Sequence, residues 1–144
     1  MPSPSPSLLT ASRLARLTGP AFLALRLYVG GFLIWGVWDN IVSSERMSEF
    51  ESFLASIHCP LPAMAAPVSV WAQFLVGVLL IPGFMTRWAG LLLAVNFVVA
   101  VVLLHLTGAD ARALFEPAIL IFVGLVLATH GAGAWSVDAR LSRR

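Results

Sequence analysis

The sequence predicts an all-α fold, an integral membrane four-helix bundle with a short amphipathic segment on the outer face between the first two spanning helices. Two observations predict it. No charged side chain occurs within residues 52–86, 88–109 or 117–137, and a fourth apolar run, residues 17–38, is interrupted only by Arg26. In a bilayer each backbone polar group must find its partner within the segment, so long uncharged runs form spanning helices.

Composition supports the same class. Of the 144 residues, 59% are hydrophobic and 11% are charged, and the mean hydropathy is +0.90. A soluble domain of this size would have too few charges to cover its surface, so membrane lipid is the expected environment. The net charge is only +2 and the basic residues are dispersed, which predicts no nucleic-acid partner. A single cysteine, Cys59, excludes an internal disulfide.

Four spans are expected, at residues 20–38, 68–85, 88–106 and 117–129. Each is close to the ~20 residues that cross a hydrocarbon core. Pro82-Gly83 loosens the end of the second span, and Pro117 suits the first turn of the fourth. The predicted organisation is a disordered Ser/Pro-rich tail over residues 1–16, a four-helix domain over 17–131 and an Arg-containing tail over 132–144. The apolar spans also contain glycines that tight helix packing explains, namely Gly30, Gly31, Gly36, Gly77, Gly90 and Gly124.

The segment Ser43–Ile57 has a different pattern. Apolar residues recur there at helical spacing, and Ser48 and Glu51 match the spacing of a capping box. The pattern predicts a short amphipathic helix on one membrane face, and the alternative is an ordinary connecting loop. Its apolar positions are Met47, Phe50, Phe53, Leu54 and Ile57.

Arginine positions predict the orientation. In a four-span arrangement, only Arg46 and Arg112 lie on one side, and the larger group lies on the other. Because cytoplasmic loops carry the excess of arginine, both termini are expected in the cytoplasm of a bacterial inner membrane. Six of the seven acidic residues then lie outside. The cytoplasmic arginines are Arg13, Arg16, Arg87, Arg140, Arg143 and Arg144.

Arg26 lies about two turns inside the first span. A central arginine costs ~3 kcal/mol on insertion scales, and snorkelling to the interface reduces that cost. The functional alternative is contact with an anion, either a lipid headgroup or a partner carboxylate.

An aromatic stripe runs along the first span. At 100° per residue, Tyr28, Phe32, Trp35 and Asp39 share one face. A flat aromatic wall with a carboxylate at its mouth suits a noncovalently bound ring-shaped ligand such as a quinone. The alternative is an interfacial aromatic belt, since tryptophan and tyrosine concentrate at membrane surfaces.

Two amide side chains and one histidine lie within the second and third spans. Gln73 and Asn96 are candidate ligand contacts, although amides at such depth usually bond across a helix interface. His105 is nine residues beyond Asn96, on the opposite side of its helix, and is a candidate for proton transfer near the outer interface.

Arg112 and Glu116 precede the fourth span. Glu116 complements the dipole of the helix that follows, which is a sufficient structural reason for it. Arg112 could pair with Glu116 or with Asp39. The best candidate site is therefore an outer cluster of Asp39, Gln73, Arg112 and Glu116.

Several kinds of site are excluded. Gly131-Ala132-Gly133 follows an apolar helix and lacks the third glycine of a dinucleotide loop. The three histidines lack metal-ligand spacing, so no metal site is predicted, and no nucleophile triad or phosphate loop occurs. No cofactor is expected to be bound covalently. These exclusions favour a non-catalytic subunit over an autonomous oxidoreductase.

Two motifs resemble one family. Residues 77–90, with Thr86-Arg87 after a glycine-bounded turn, resemble the corresponding turn of the DoxX family. Residues 131–138 resemble its closing Gly-x-Gly-x-x-Ser-x-Asp pattern, with Gly131, Gly133, Ser136 and Asp138 in place. The resemblance covers about residues 26–141 and rests on the order and spacing of the motifs.

The resemblance implies a four-helix inner-membrane protein tied to redox physiology. Relatives include a quinone-linked subunit of thiosulfate oxidation, partners in thiol or oxidative-stress assemblies, and proteins that assist maturation of others. Many members carry Glu where Gln73 stands, and a His-Gly…Lys pattern near Trp38-Asp39-Asn40. The expected function is therefore an accessory subunit of a quinone- or thiol-linked redox assembly. The alternatives are a non-enzymatic membrane scaffold or maturation partner that recruits another protein, or a small lipid- or ligand-binding bundle. The expected partners are membrane lipid and either another protein or further copies of this chain.

Overall fold

Residues 12–143 are described by a computed structural model, and within this range the chain is helical without strands. A 3₁₀ turn over Ser12–Leu17 leads into the first of six helices. Of the tail expected to be disordered, residues 1–11 lie outside the described residues, and residues 12–16 belong to this 3₁₀ turn. The helices are α1 (Thr18–Val42), α2 (Ser44–Ser56), α3 (Pro62–Leu80), α4 (Thr86–Leu106), α5 (Ala111–His130) and α6 (Val137–Leu141).

Four of these helices, α1, α3, α4 and α5, are long and apolar enough to cross a membrane. The chain is a multi-pass membrane protein, and the predicted all-α bundle is confirmed. The first residues of α1 and the residues after α5 meet at one end of the bundle, where Gly19 lies beside Ala134 and Trp135. We call this the terminal end and the opposite one, which carries α2, the α2 end.

The spanning helices pack in a row: α1 on α3, α3 on α4, and α4 on α5. Two pairs of glycines bring backbones together. A Cβ on Gly30 would lie 2.9 Å from the carbonyl oxygen of Gly77, and one on Gly90 would lie 2.6 Å from that of Gly124. Small residues permit such close approach in membranes, where apolar burial does not drive helices together. The shared core is Val29, Leu33, Val76, Leu80, Ala89, Leu93, Leu120 and Leu127.

Not every glycine packs in this way. Gly31 and Gly36 have no neighbouring atom within 4 Å of an added Cβ, so the expectation of tight packing is wrong at these two positions. The physical reason is helical phase: only Gly30 lies on the face of α1 that meets α3.

The amphipathic segment is the helix α2. Ser43 caps it, because its hydroxyl accepts the Arg46 N–H at 3.3 Å. The predicted capping box is wrong, since Ser48 lies one turn inside the helix and its hydroxyl donates to the carbonyl of Ser44. The buried face of α2, together with Ile57 just after it, packs on α3 and α4. The contacting residues are Met47, Phe50, Leu54 and Ile57 on one side and Ala66, Leu103 and Leu104 on the other.

Two spans begin six residues earlier than predicted. α3 starts at Pro62, and α5 starts at Ala111 because the Asp110 carboxylate accepts the Ala113 N–H at 2.9 Å. Pro117 therefore lies inside α5 rather than in its first turn. At its other end α3 stops at Leu80, where the Gly83 and Phe84 N–H groups donate to the carbonyls of Leu80 and Leu79.

Candidate functional site

A groove separates α1 from α5. These two helices make little direct contact, because α1 leans on α3 and α5 on α4. The space between them is a cavity of about 480 Å³. It is lined by Leu25, Tyr28, Val29 and Phe32 from α1, and by Phe115, Glu116, Ile119, Leu120 and Val123 from α5.

The groove is closed toward the terminal end. There the ring of Phe22 stacks on the imidazole of His130, with centroids 4.0 Å apart and planes 14° apart. Gly133 allows this contact, since a Cβ on it would lie 3.1 Å from the Cβ of Phe22. The lining of the α1–α5 groove extends to Phe115 and Glu116 near the α2 end, and Tyr28, Phe115 and Ile119 are exposed on the side of the groove that faces lipid.

The chemistry of the groove is apolar with two polar groups. Phe32 and Phe115 offer aromatic faces, the Tyr28 side chain is 76% exposed, and Glu116 is the one charged residue of the lining. A hydroxyl donor and a carboxylate acceptor beside aromatic carbon suit a flat ring with polar edges.

Two residues of the predicted aromatic wall lie elsewhere. The α1 lining of the groove ends at Phe32, one turn before Trp35. Trp35 is 77% exposed, and Asp39, one turn beyond it in α1, is also exposed. The structure therefore places Tyr28, Phe32 and Glu116 on the groove, and Trp35 and Asp39 outside it.

Gln73 and Asn96 are joined through a third residue. The Ser69 hydroxyl donates to Oδ1 of Asn96 at 3.0 Å, and Nε2 of Gln73 donates to Oγ of Ser69 at 3.2 Å. This chain of bonds links α3 to α4 inside the bundle. Ser69 was not predicted as a member of this chain of bonds, although its position one turn before Gln73 places it on the same helix face.

Arg112 and His105 are exposed at the α2 end. Arg112 lies beyond 4.0 Å from the carboxylates of Glu116 and Asp39, so the expected ion pairs do not form. The single ion pair among the side chains of residues 14–143 joins Arg46 to Glu49 at 2.8 Å. The hydrogen bond to Glu49 raises the pKa of Arg46 above its ordinary value.

The residues of the two sequence motifs meet at the terminal end. Each oxygen of the Asp138 carboxylate accepts one backbone N–H, from Met85 at 2.8 Å and from Thr86 at 2.9 Å. Asp138 thereby caps α4. The N–H groups of Val137 and Asp138 donate to the carbonyls of Pro82 and Gly83, which fixes the tail (residues 131–143) against the α3–α4 turn.

Arg26 is fully buried beneath this tail. Its guanidinium donates to the carbonyls of Leu80 and Trp135, and Asp138 interacts with it electrostatically. Gly83 makes room for it: a Cβ there would overlap Nη1 of Arg26, and the positive φ of +71° suits glycine. Snorkelling is therefore wrong for Arg26, because the tail brings acceptors to the guanidinium.

Arg87 caps the end of α5. Its guanidinium donates to the carbonyls of Ala128 at 3.0 Å, Thr129, and His130 at 3.4 Å. Ser136 caps α6 by accepting the Ala139 N–H at 3.1 Å, and its hydroxyl donates to the Gly133 carbonyl at 2.7 Å. These motif residues connect α1, α4, α5 and the tail, so in this arrangement they are structural.

Part of this chain matches a known protein family. The family profile described as DoxX matches residues 21–106, which include the Thr86-Arg87 turn and end before the tail motif. No curated protein and no solved structure matches the chain. Within residues 12–143, no three His, Cys, Asp or Glu side chains are grouped so as to hold a metal ion.

Proposed function

Because the chain belongs to the DoxX family, we propose that it is a non-catalytic accessory subunit of a quinone- or thiol-linked membrane redox assembly. We further propose that it contacts a quinone in the α1–α5 groove. The observation that carries the second proposal is an apolar cavity of about 480 Å³ with aromatic walls and one carboxylate.

The residues of the groove fit a quinone headgroup. Phe32 and Phe115 would flank the ring, and the Tyr28 hydroxyl would donate to a carbonyl of the oxidised quinone. The Glu116 carboxylate would accept from a hydroxyl of the reduced form, the quinol. A bound quinone carries electrons together with protons. The isoprenoid tail would leave through the side of the groove that opens to lipid, so no polar barrier has to be crossed.

The arginine asymmetry supports an orientation. Most arginines with described side chains lie at the terminal end. Three of them, Arg16, Arg140 and Arg143, are exposed. We infer that this end faces the cytoplasm of a bacterial inner membrane. The groove then opens toward the periplasmic half of the bilayer.

Solvent extraction of the purified protein tests the quinone contact. We expect quinone to copurify with the wild type, and Ile119→Trp to lower its amount about tenfold by filling the groove, a loss of ~1.4 kcal/mol in binding. Phe122→Trp is the matched control, because Phe122 is 67% exposed on α5 and does not line the groove. Glu116→Leu, which removes the acceptor, should weaken binding of the reduced form about fivefold through loss of one hydrogen bond.

Quinone reduction in membranes lacking the protein tests the redox role. A wild-type content of quinone in Ile119→Trp would refute the groove as its site. Unchanged quinone reduction without the protein would refute the accessory role, and it would favour a ligand-binding bundle if quinone still copurified.

A second candidate function is recruitment of another protein by α2. Phe53 is 48% exposed on α2, and Glu45, Glu49 and Glu51 lie on the same helix, which suits a basic partner. Affinity isolation from crosslinked membranes would test it. Loss of a crosslinked protein in Phe53→Glu, with the bundle still folded, would support this scaffold function.

A further inference from the structure

A second cavity lies at the terminal end, separate from the groove. Its volume is about 550 Å³, and it lies between the start of α4, the end of α5 and the tail. We call it the terminal cavity. The side chains that matter for its chemistry are Arg87, Trp88, His130, Asp138, Met85 and Leu141.

The charge around the terminal cavity is strongly positive. Among residues 14–143, five arginines lie at this end of the bundle, against the single carboxylate of Asp138. At the α2 end, two arginines face six carboxylates. The terminal end is therefore the one that attracts anions. Its arginines are Arg16, Arg26, Arg87, Arg140 and Arg143.

Asp138 does not cancel this attraction. Both of its oxygens already accept backbone N–H groups, from Met85 and Thr86, and Arg26 interacts electrostatically with it. These contacts partly offset the negative charge of Asp138, and Arg87 is the one arginine in the lining that an incoming anion meets.

Arg87 is held in place before any ligand arrives. Its hydrogen bonds to three carbonyls at the end of α5 fix the guanidinium plane. A fixed guanidinium loses less conformational freedom when it binds a phosphate, and its planar fork matches phosphate oxygens.

The rim of the cavity is apolar and lies where the spanning helices end. Trp88 is 67% exposed, Leu141 52% and Met85 46%. Tryptophan at this level is typical of the headgroup region. We propose that the terminal cavity binds the phosphate of an anionic phospholipid headgroup, with Arg87 as the phosphate contact and the apolar rim against the glycerol and upper acyl chains.

The rim distinguishes a phospholipid from free phosphate, which has no apolar part to place there. Basic cavities between the ends of spanning helices are suited to anionic headgroups. The proposal does not depend on quinone binding, since the groove and the terminal cavity share no lining residue.

Titration of the full chain in detergent with short-chain phosphatidylglycerol tests the proposal. Phosphatidylcholine of equal chain length and inorganic phosphate are the comparison ligands, and native mass spectrometry measures the bound fraction. We expect phosphatidylglycerol to bind at least tenfold more tightly than either. Arg87→Gln should lower the affinity for phosphatidylglycerol about tenfold, which is the effect expected from the loss of one charge-assisted hydrogen bond.

Two pairs of variants distinguish binding in the terminal cavity from nonspecific electrostatic attraction to the terminal end. Arg140→Gln removes the same charge from the same end outside the cavity lining, and it should change affinity less than twofold. Ala139→Phe fills the cavity and keeps every charge, so it should abolish binding even if Arg87→Gln fails to fold. Ala134→Phe is its control on the other side of the tail.

Three results would overturn the proposal. Equal losses in Arg87→Gln and Arg140→Gln would mean diffuse electrostatic attraction. Wild-type binding in Ala139→Phe would place the lipid elsewhere. Inorganic phosphate binding as tightly as phosphatidylglycerol would mean that the site takes a soluble anion.

Discussion

Replacing Asp138 by alanine removes a cap that acts across the fold. The carboxylate lies 53 residues along the chain from Met85, yet it accepts N–H groups from both Met85 and Thr86, at 2.8 and 2.9 Å. It also provides a negative charge near the buried guanidinium of Arg26. Asp138→Ala should therefore destabilise the start of α4, the tail and the site of Arg26 together.

The expected cost follows from these contacts. A hydrogen bond to a charged group contributes ~1.5–3 kcal/mol, so the loss of two, partly exposed to solvent, should cost about 3 kcal/mol. Asp110→Ala is the matched control, because Asp110 caps α5 through one N–H at the exposed α2 end, far from Arg26. An ordinary N-cap of this kind contributes about 1 kcal/mol.

Reversible unfolding in mixed micelles, followed by circular dichroism, measures both free energies of unfolding. Asp138→Asn keeps one acceptor without the charge and should lie between the wild type and Asp138→Ala, so a folded variant remains if the alanine variant is lost. If Asp138→Ala costs no more than Asp110→Ala, the cap and its electrostatic link to Arg26 do not stabilise the bundle.

The remaining predictions concern helix packing. Gly77→Leu should lower the free energy of unfolding by more than 2 kcal/mol, because its Cβ would lie 2.8 Å from the Gly30 carbonyl oxygen, whereas Gly31→Leu should change it by less than about 0.5 kcal/mol. Asn96→Ala should cost only ~0.6 kcal/mol in the same unfolding assay, the average for a polar contact between spanning helices, and a much larger cost would indicate a further role. Phe50→Glu should release α2 from the bundle because Phe50 packs on its buried cluster, whereas the exposed Phe53→Glu should not, as limited proteolysis of the α2–α3 connection would show.

Sequence periodicity and charge were sufficient for the fold class. Apolar segments of this length satisfy their backbone polar groups as helices in a bilayer, so the number of spans could be predicted. The errors fell at helix boundaries, some of which depend on one side chain. Asp110 moved the start of α5 ahead of Pro117, and Ser43 rather than Ser48 starts α2.

Candidate site residues were harder to predict. Helical periodicity shows which face of a helix a residue lies on, but it does not show which other helix packs against that face. Tyr28, Phe32 and Trp35 share a face of α1, yet the groove includes only the first two, because its lining on α1 ends at Phe32. Gln73 and Asn96 were recognised as polar groups in apolar helices. Their connection through Ser69 depends on how α3 lies against α4.

The sequence alone therefore determined that this protein resides in the membrane, how many helices cross it, and which motifs mark its family, because hydropathy and local spacing are properties of neighbouring residues. Only the tertiary structure decided that Arg26 is buried beneath the tail, that Asp138 caps α4, and that α1 and α5 leave a groove between them. Each of these features depends on contacts between residues that are distant in sequence. The energies of those contacts depend on interatomic distances that only the packing of the helices determines.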